Sequence, residues 1–284
     1  MEDYSNDVTQ QLSQEESQRL ISDQGTMGDY SRYEMYGSMS SVLGTRENQQ
    51  DSCYVNITDQ TYAVGIVCDG MGGLAGGEIA SQSAVKMFIE DFEEIRYSQQ
   101  NFCDFFRSEM IDIDTMVANL KDEYGDYLHA GTTLVAVSVT DGYLQWISVG
   151  DSKIYIIRGD DMVCVTKEHN YFLLLNEQLA EGQISEEEYN WEAKRGEALI
   201  SYLGMGNVSL IDFNPNPLKL RDGDILLLCS DGLYKALSED QIYSIIRKNP
   251  VNIEKTLQEL QEEAHLASPR VQDNTSIVML LYRE

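Results

Sequence analysis

Apolar and polar positions alternate along the chain with two different periods, and each change of period marks an element. YEMYGSMSSVLG (33–44) alternates partially and ends in a glycine turn. CYVNIT (53–58) and TYAVGIVC (61–68) continue as two strands separated by the turn-like TDQ. The period then becomes helical. In GEIASQSAVKMFIEDFEEI (77–95) the spacing of Ile79, Ala80, Ala84, Val85, Phe88, Ile89 and Phe92 predicts an amphipathic helix. A second helix is predicted over NFCDFFRSEMIDIDTMVANL (101–120), with Phe102, Phe106, Met110, Ile113 and Val117 among its inward residues. Strands return in TTLVAVSVT, YLQWISVG, KIYIIRG and MVCVT, divided at Asp141-Gly142, Asp151-Ser152 and Asp160-Asp161. A polar, helical insert covers about 170–204, followed by the strand DILLLCSDG (224–232). SEDQ (238–241) is a capping box that opens a helix through Lys248. A last helix, NIEKTLQELQEEAHLA, precedes the final strand SIVMLLY.

Helices therefore come in pairs and strands in hairpins, which is not the strand–helix alternation of a parallel sheet. The economical way to cover every apolar face is an α+β, four-layer α-β-β-α sandwich, two antiparallel sheets packed together with a helix pair outside each. One domain, 33–284, carries the insert. Residues 1–32 are polar and acidic, lack periodicity and are expected to be a flexible extension.

Composition narrows the functional classes. A hydrophobic content of 42% supplies a full core, while no run approaches the length of a membrane span. The acidic N-terminus is the opposite of a secretory signal, so the cytoplasm is the expected location. Five cysteines (Cys53, Cys68, Cys103, Cys164, Cys229) are widely spaced and read as reduced residues, neither a disulfide framework nor a zinc site. With 48 acids against 20 bases the net charge is −28, which repels nucleic acid and anionic membrane. A phosphorylated substrate would meet the same unfavourable field unless cations reversed it locally.

That condition gives meaning to the aspartates at strand ends. Asp69-Gly70 closes YAVGIVC, Asp231-Gly232 closes ILLLCS, Asp151 follows WISVG, Asp273-Asn274 precedes the last strand, and Asp51 follows the glycine turn of GTRENQQDS. Any one of these has a sufficient explanation as turn chemistry. Together they do not, because Asp69 and Asp231 end near-continuous apolar runs and a carboxylate there needs a compensating partner. Convergent aspartates suit hard divalent cations such as Mg²⁺ or Mn²⁺. The scattered His129, His169 and His265 do not suit zinc. Arg46, near Asp51, has the planar fork that suits a phosphate.

At this point the sequence resembles the metal-dependent serine/threonine protein phosphatases of the PPM, or PP2C, family in their compact bacterial form. The resemblance runs from about Tyr33 to the C-terminus. It is carried, in the family's order, by GTRENQQDS, VCDGMGGLAGGEIAS, AGTTLVAVSV, SVGDSKIYIIRGDDMVCVTKEHN, the EGQIS and SYLG elements, LLLCSDGL and QDNTSIVML. It implies the same sandwich fold and a site with two Mn²⁺ or Mg²⁺ ions. Asp69 matches the bridging ligand, Gly70 a carbonyl facing the second metal, Asp231 and Asp273 ligands of the first. Asp51 matches an acid acting largely through waters near the second. Asp151 matches a ligand of a third, more weakly held ion, and Arg46 the phosphate-binding arginine. The implied reaction is hydrolysis of phosphoserine and phosphothreonine in proteins by a metal-bridging hydroxide. The implied partners are phosphoproteins, opposite a Ser/Thr kinase, for a monomer that binds neither nucleic acid nor membrane. The competing reading is a catalytically silent PP2C-fold binding or sensing module, whose mark would be loss of the metal aspartates.

Four positions depart from the pattern or need a role. Gln50 stands where many relatives have Glu, and its amide is expected to reach a metal-bound water. Met71 replaces a histidine suggested as a general acid in some members and cannot donate a proton. Lys235 stands where some relatives place an acid toward the third metal, and a cation there would weaken that site. His169 is expected to be structural.

Overall fold

The computed structural model describes residues 33–58, 62–73, 75–96 and 101–284; the extension expected over 1–32 lies outside the described residues. The strands are β1 (Glu34–Val42), β2 (Asp51–Thr58), β3 (Tyr62–Met71), β4 (Gly131–Thr132), β5 (Leu134–Thr140), β6 (Tyr143–Val149), β7 (Lys153–Arg158), β8 (Asp161–Cys164), β9 (Asp212–Phe213), β10 (Leu218–Lys219), β11 (Ile225–Cys229) and β12 (Thr275–Arg283). The helices are α1 (Gly76–Ile95), α2 (Cys103–Ala118), α3 (Tyr171–Ala180), α4 (Glu186–Glu192), α5 (Asp231–Tyr234), α6 (Glu239–Lys248) and α7 (Ile253–Ala267).

The strands form two antiparallel sheets, one in the order β1-β12-β11-β7-β8 and one in the order β10-β6-β5-β3-β2, with β4 beside β3 and β9 beside β6. Period-two alternation sorts their side chains into three apolar layers. On β3, Tyr62, Val64, Ile66 and Cys68 face α1 and α2, meeting Ala84, Phe88, Phe92, Phe106 and Met110. Ala63 and Val67 face the other sheet, where they join Leu226, Leu228, Val278 and Leu280. The opposite positions, Leu227, Cys229, Ile277 and Met279, pack beneath α6 and α7 on Ile242, Ile246, Leu257 and Leu260. This is the α-β-β-α sandwich the sequence predicts.

Local signals act as their chemistry requires. Ser238 and Gln241 form the reciprocal capping box of α6. Asp141 and Gly142 both have positive φ, as a two-residue hairpin between β5 and β6 demands. The next turn is displaced by one residue from its expected place: Gly159 takes the positive φ, and Asp161 is already the first residue of β8. Ile79, placed on the inner face of α1 by its spacing, is instead exposed, because it falls on the helix face of Gln82, Lys86 and Glu90 while Gly76, Gly77 and Ala80 of the same turn are buried. The insert folds as α3, α4 and a single 3-10 turn (Ala193–Arg195) and returns beside the sheet, where Leu203 exchanges two backbone hydrogen bonds of 2.9 Å with Thr132. Buried Asp114 holds the end of the insert, accepting the N–H groups of Gly204, Gly206 and Val208 at 2.7, 3.0 and 2.9 Å. Among the described residues no helix is long and apolar enough to cross a membrane, and all five cysteines are free thiols.

Candidate active site

The alternation that builds the inter-sheet layer also decides what closes it. Asp51 continues the row of Cys53, Val55 and Ile57 on β2, and Asp69 continues that of Ala63 and Val67 on β3. In the opposite sheet Ser230 and Ser276 extend the rows of Leu228 and Val278. Thr133 and Ser152 stand by the same parity before Val135 and Ile154. A core that is apolar along most of its length therefore ends in a layer of carboxylates and hydroxyls.

Hydrogen bonds lock that layer. Asp51 and Asp69 are directly opposed in the β2–β3 ladder. Ser230 Oγ donates to Asp51 Oδ2 at 2.6 Å and accepts the Ser276 N–H at 2.9 Å, so a serine from the second sheet holds an acid of the first. Thr133 accepts the Asp69 N–H through Oγ1 at 2.9 Å, donates its own N–H to the Asp69 carbonyl at 2.8 Å, and lies 2.8 Å from Ser152 Oγ. Thr133 thus holds both the N–H and the carbonyl of Asp69. Two glycines allow the close approaches. A Cβ on Gly70 would lie 2.1 Å from the Gly77 carbonyl oxygen, and one on Gly232 2.1 Å from that of Asn274.

Arg46 reaches the same edge from the loop between β1 and β2, where it pairs with Asp273. Asn274 pins that loop at both ends, accepting the Gln50 N–H at 2.8 Å and donating to the Leu43 carbonyl at 2.9 Å. Thr45 adds two donations to the Gln272 carbonyl, both 2.9 Å. Asp231, the first residue of α5, is held by the ammonium of Lys235 at 2.9 Å.

The electrostatics of the assembled acids are unfavourable. Burial pushes the Asp51 carboxyl up to about 7; its hydrogen bonds to Ser230 and Ser276 oppose this, and the charges of Asp231 and Asp273 add to it. Asp69 is raised well above the usual carboxylate range, first by desolvation and then by Asp51, Asp231, Asp151 and Asp273. Buried Asp151 is raised to about 6 by burial and by Asp231, with Lys235 acting the other way. Asp51 Oδ1 is buried with no hydrogen-bond partner. An orphaned carboxylate oxygen amid repelling acids, with oxygen as the donor element throughout, fits hard divalent cations. The side chains do not yet form a closed cage. Among the described residues no three Asp, Glu, His or Cys groups converge to hold one ion, and Asp231 and Asp273 instead pair with Lys235 and Arg46.

The structure thus gathers Arg46, Asp51, Asp69, Gly70, Asp151, Asp231 and Asp273 at one sheet edge. The Gln50 amide donates to the Gly72 carbonyl at 3.2 Å, which ties the glycine turn to the β1–β2 loop. His169 is structural: buried, and held neutral by burial and Lys167 with its pKa lowered to about 4. It accepts the Gly150 N–H at 3.1 Å and so fixes the turn that presents Asp151. Motif reasoning missed Thr133, Ser230 and Asn274. The first two were within reach of the period-two count that puts Asp51 and Asp69 on the inter-sheet face.

A family model described as protein phosphatase 2C matches residues 40–268. Protein phosphatase PhpP of Streptococcus pneumoniae serotype 2 (strain D39 / NCTC 7466) is 30% identical over 220 residues, covering 77% of this chain and 86% of that protein. The solved S. agalactiae serine/threonine phosphatase superposes with a TM-score of 0.71 at 26% identity, covering 88% of this chain and 100% of that one. The catalytic domain of the phosphatase PstP, solved in complex with 2 manganese ions, has the same fold at 23% identity, with a TM-score of 0.68 and coverage of 89% and 100%. A match over most of the length, with the aspartates gathered where the two sheets meet, leads to one conclusion: the chain belongs to the protein phosphatase 2C family.

Proposed function

We propose that this chain, a phosphatase by family, hydrolyses phosphoserine and phosphothreonine in proteins with the help of two Mn²⁺ or Mg²⁺ ions. The observation that carries the reading is the opposed pair Asp51 and Asp69 at the polar end of the inter-sheet core, beside Asp231, Asp273 and Arg46. Asp69 and the Gly70 carbonyl would hold both ions with Asp231 and Asp273, and Asp51 would act from behind through waters. The manganese pair in the PstP catalytic domain supports a cation site in this fold. Bound there, such a pair would activate water as a nucleophile at neutral pH and would offset the negative charge that would repel a phosphate.

The chain's own residues do the positioning. Arg46 is half-exposed on a loop fixed by Asn274, with its guanidinium on Asp273. With Asp273 held by a cation, the planar fork of Arg46 would be free to bind two oxygens of a phosphoryl group. Ser230 and Thr133 keep Asp51 and the backbone of Asp69 in place, so orientation need not be bought at the moment of reaction. The chain would act in the cytoplasm on phosphoproteins, opposite a Ser/Thr kinase.

The test is phosphate release from a phosphothreonine peptide by the full chain. Turnover with Mn²⁺ or Mg²⁺ that EDTA abolishes is the expected result. Turnover that survives EDTA would overturn the metal assignment, and no turnover with either ion would favour the catalytically silent reading.

A further inference from the structure

Lys235 follows the site's aspartate by one helical turn, and its ammonium already lies among the carboxylates. Nζ is 2.9 Å from Asp231 Oδ2 and 3.5 Å from Glu197 Oε2. It also offsets the negative charge around Asp151, where Asp231 and Glu168 act in the opposite sense. Glu168 is itself taken by Lys153 at 2.8 Å. Lys235 is thus the cation that serves Asp231, Asp151 and Glu197 together. Burial works against its charge, but those three acids outweigh it and hold its pKa above the ordinary lysine value.

An ion placed between Asp231 and Asp151 would have to compete with this ammonium for Asp231. A divalent ion bridging Asp231 and Asp151 would need their oxygens within about 2.0–2.6 Å, and a fixed ammonium bonded to one of them would stand next to it. Like charges that close repel each other, and the repulsion is weakly screened where the carboxylates are buried. Lysine's ammonium is a compact point charge on a flexible stem, so its place here is set by its bonds to Asp231 and Glu197.

We propose that Lys235 is a resident cation that takes the place of a third divalent ion, so that this chain binds two ions and no third. The proposal rests on the two-ion reading given above. In it, Lys235 is a positioning residue that fixes Asp231 and compensates Asp151. Through Glu197 it also links the insert to the site, since Glu197 lies in the stretch that returns the insert to the sheet.

The number of ions bound per chain is the readout, counted by equilibrium dialysis against Mn²⁺ with electron paramagnetic resonance of the free ion. The full chain is expected to bind two. Lys235→Asp is expected to bind three, and Lys235→Asp combined with Asp151→Asn to return to two. A count of three for the unaltered chain would overturn the proposal, as would a count of two for a folded Lys235→Asp. Should that variant not fold, Lys235→Gln takes its place: a count of three supports the proposal and a count of two overturns it. A count of zero for the unaltered chain would remove the two-ion reading itself, an outcome distinct from all of these.

Discussion

Asp51 and Asp69 are cross-strand partners, one at the first position of β2 and the other near the end of β3. Like charges opposed in a ladder destabilise it, and here the pair is also desolvated and surrounded by Asp231 and Asp273. The fold accepts this arrangement at the edge where cations are proposed to bind. Replacing Asp69 by Asn should separate the two consequences. Turnover should fall by roughly a hundredfold or more, because a shared ligand of both ions is lost. The metal-free variant should be more stable than the metal-free parent at pH 8, by about 1–2 kcal/mol, or ~2–6 °C for a chain of this size. Thermal denaturation in EDTA checks the sign.

Asn274 is buried and carries two hydrogen bonds to the loop that bears Arg46. Truncation to Ala leaves a backbone N–H and a carbonyl without their partner, costing about 1–3 kcal/mol. It should also raise KM for a phosphopeptide, because Arg46 loses its anchor while the aspartates stay in place. Urea unfolding and steady-state kinetics measure the two effects independently.

Arg46 binds the phosphoryl group in the ground state and the transition state alike in this account. Arg46→Ala should therefore raise KM by about tenfold or more and lower kcat less. Lys at this position should recover part of the affinity as a point charge, without the bidentate fork. Equal loss in the Lys and Ala variants would assign the arginine a structural role.

A buried acid far from the site predicts a pH dependence of stability. Glu109 on α2 is pushed up to about 8 by burial, by the charges of Asp91 and Asp112 and by a hydrogen bond to Asp91. Its folded pKa exceeds the ordinary glutamate value of 4.5, so the folded state holds the proton more tightly. Its contribution is complete below about 4.5 and lost as pH rises through about 8. Glu109→Gln should flatten the fall in melting temperature between about pH 5 and 8, the span between the two values.

Much of this was legible in the sequence because it depends on short-range periodicity. The alternation in YAVGIVC and ILLLC named the buried strands, and the helical stripe of Phe88, Phe92, Phe106 and Met110 named the outer layers. The acids at strand ends were legible for the same reason, since the strand that buries them also sets where they point. The ion pairs were not. Arg46 on Asp273 spans a long stretch of sequence, and Lys235 on Asp231 and Glu197 depends on how the insert returns. The two-residue strands β4, β9 and β10 were missed because a pair of residues has no period to read. The bond from Gln50 to the Gly72 carbonyl was likewise not legible, because it is set by the packing of the glycine turn against the β1–β2 loop.

Anomalous diffraction at the manganese edge, from crystals of the full chain soaked in Mn²⁺, tests the central claim most directly. The account predicts two strong peaks at the polar end of the inter-sheet core that share Asp69, one of them also contacting Asp231 and Asp273, with Arg46 turned away from Asp273. Peaks elsewhere, or none while Arg46 remains on Asp273, would contradict it.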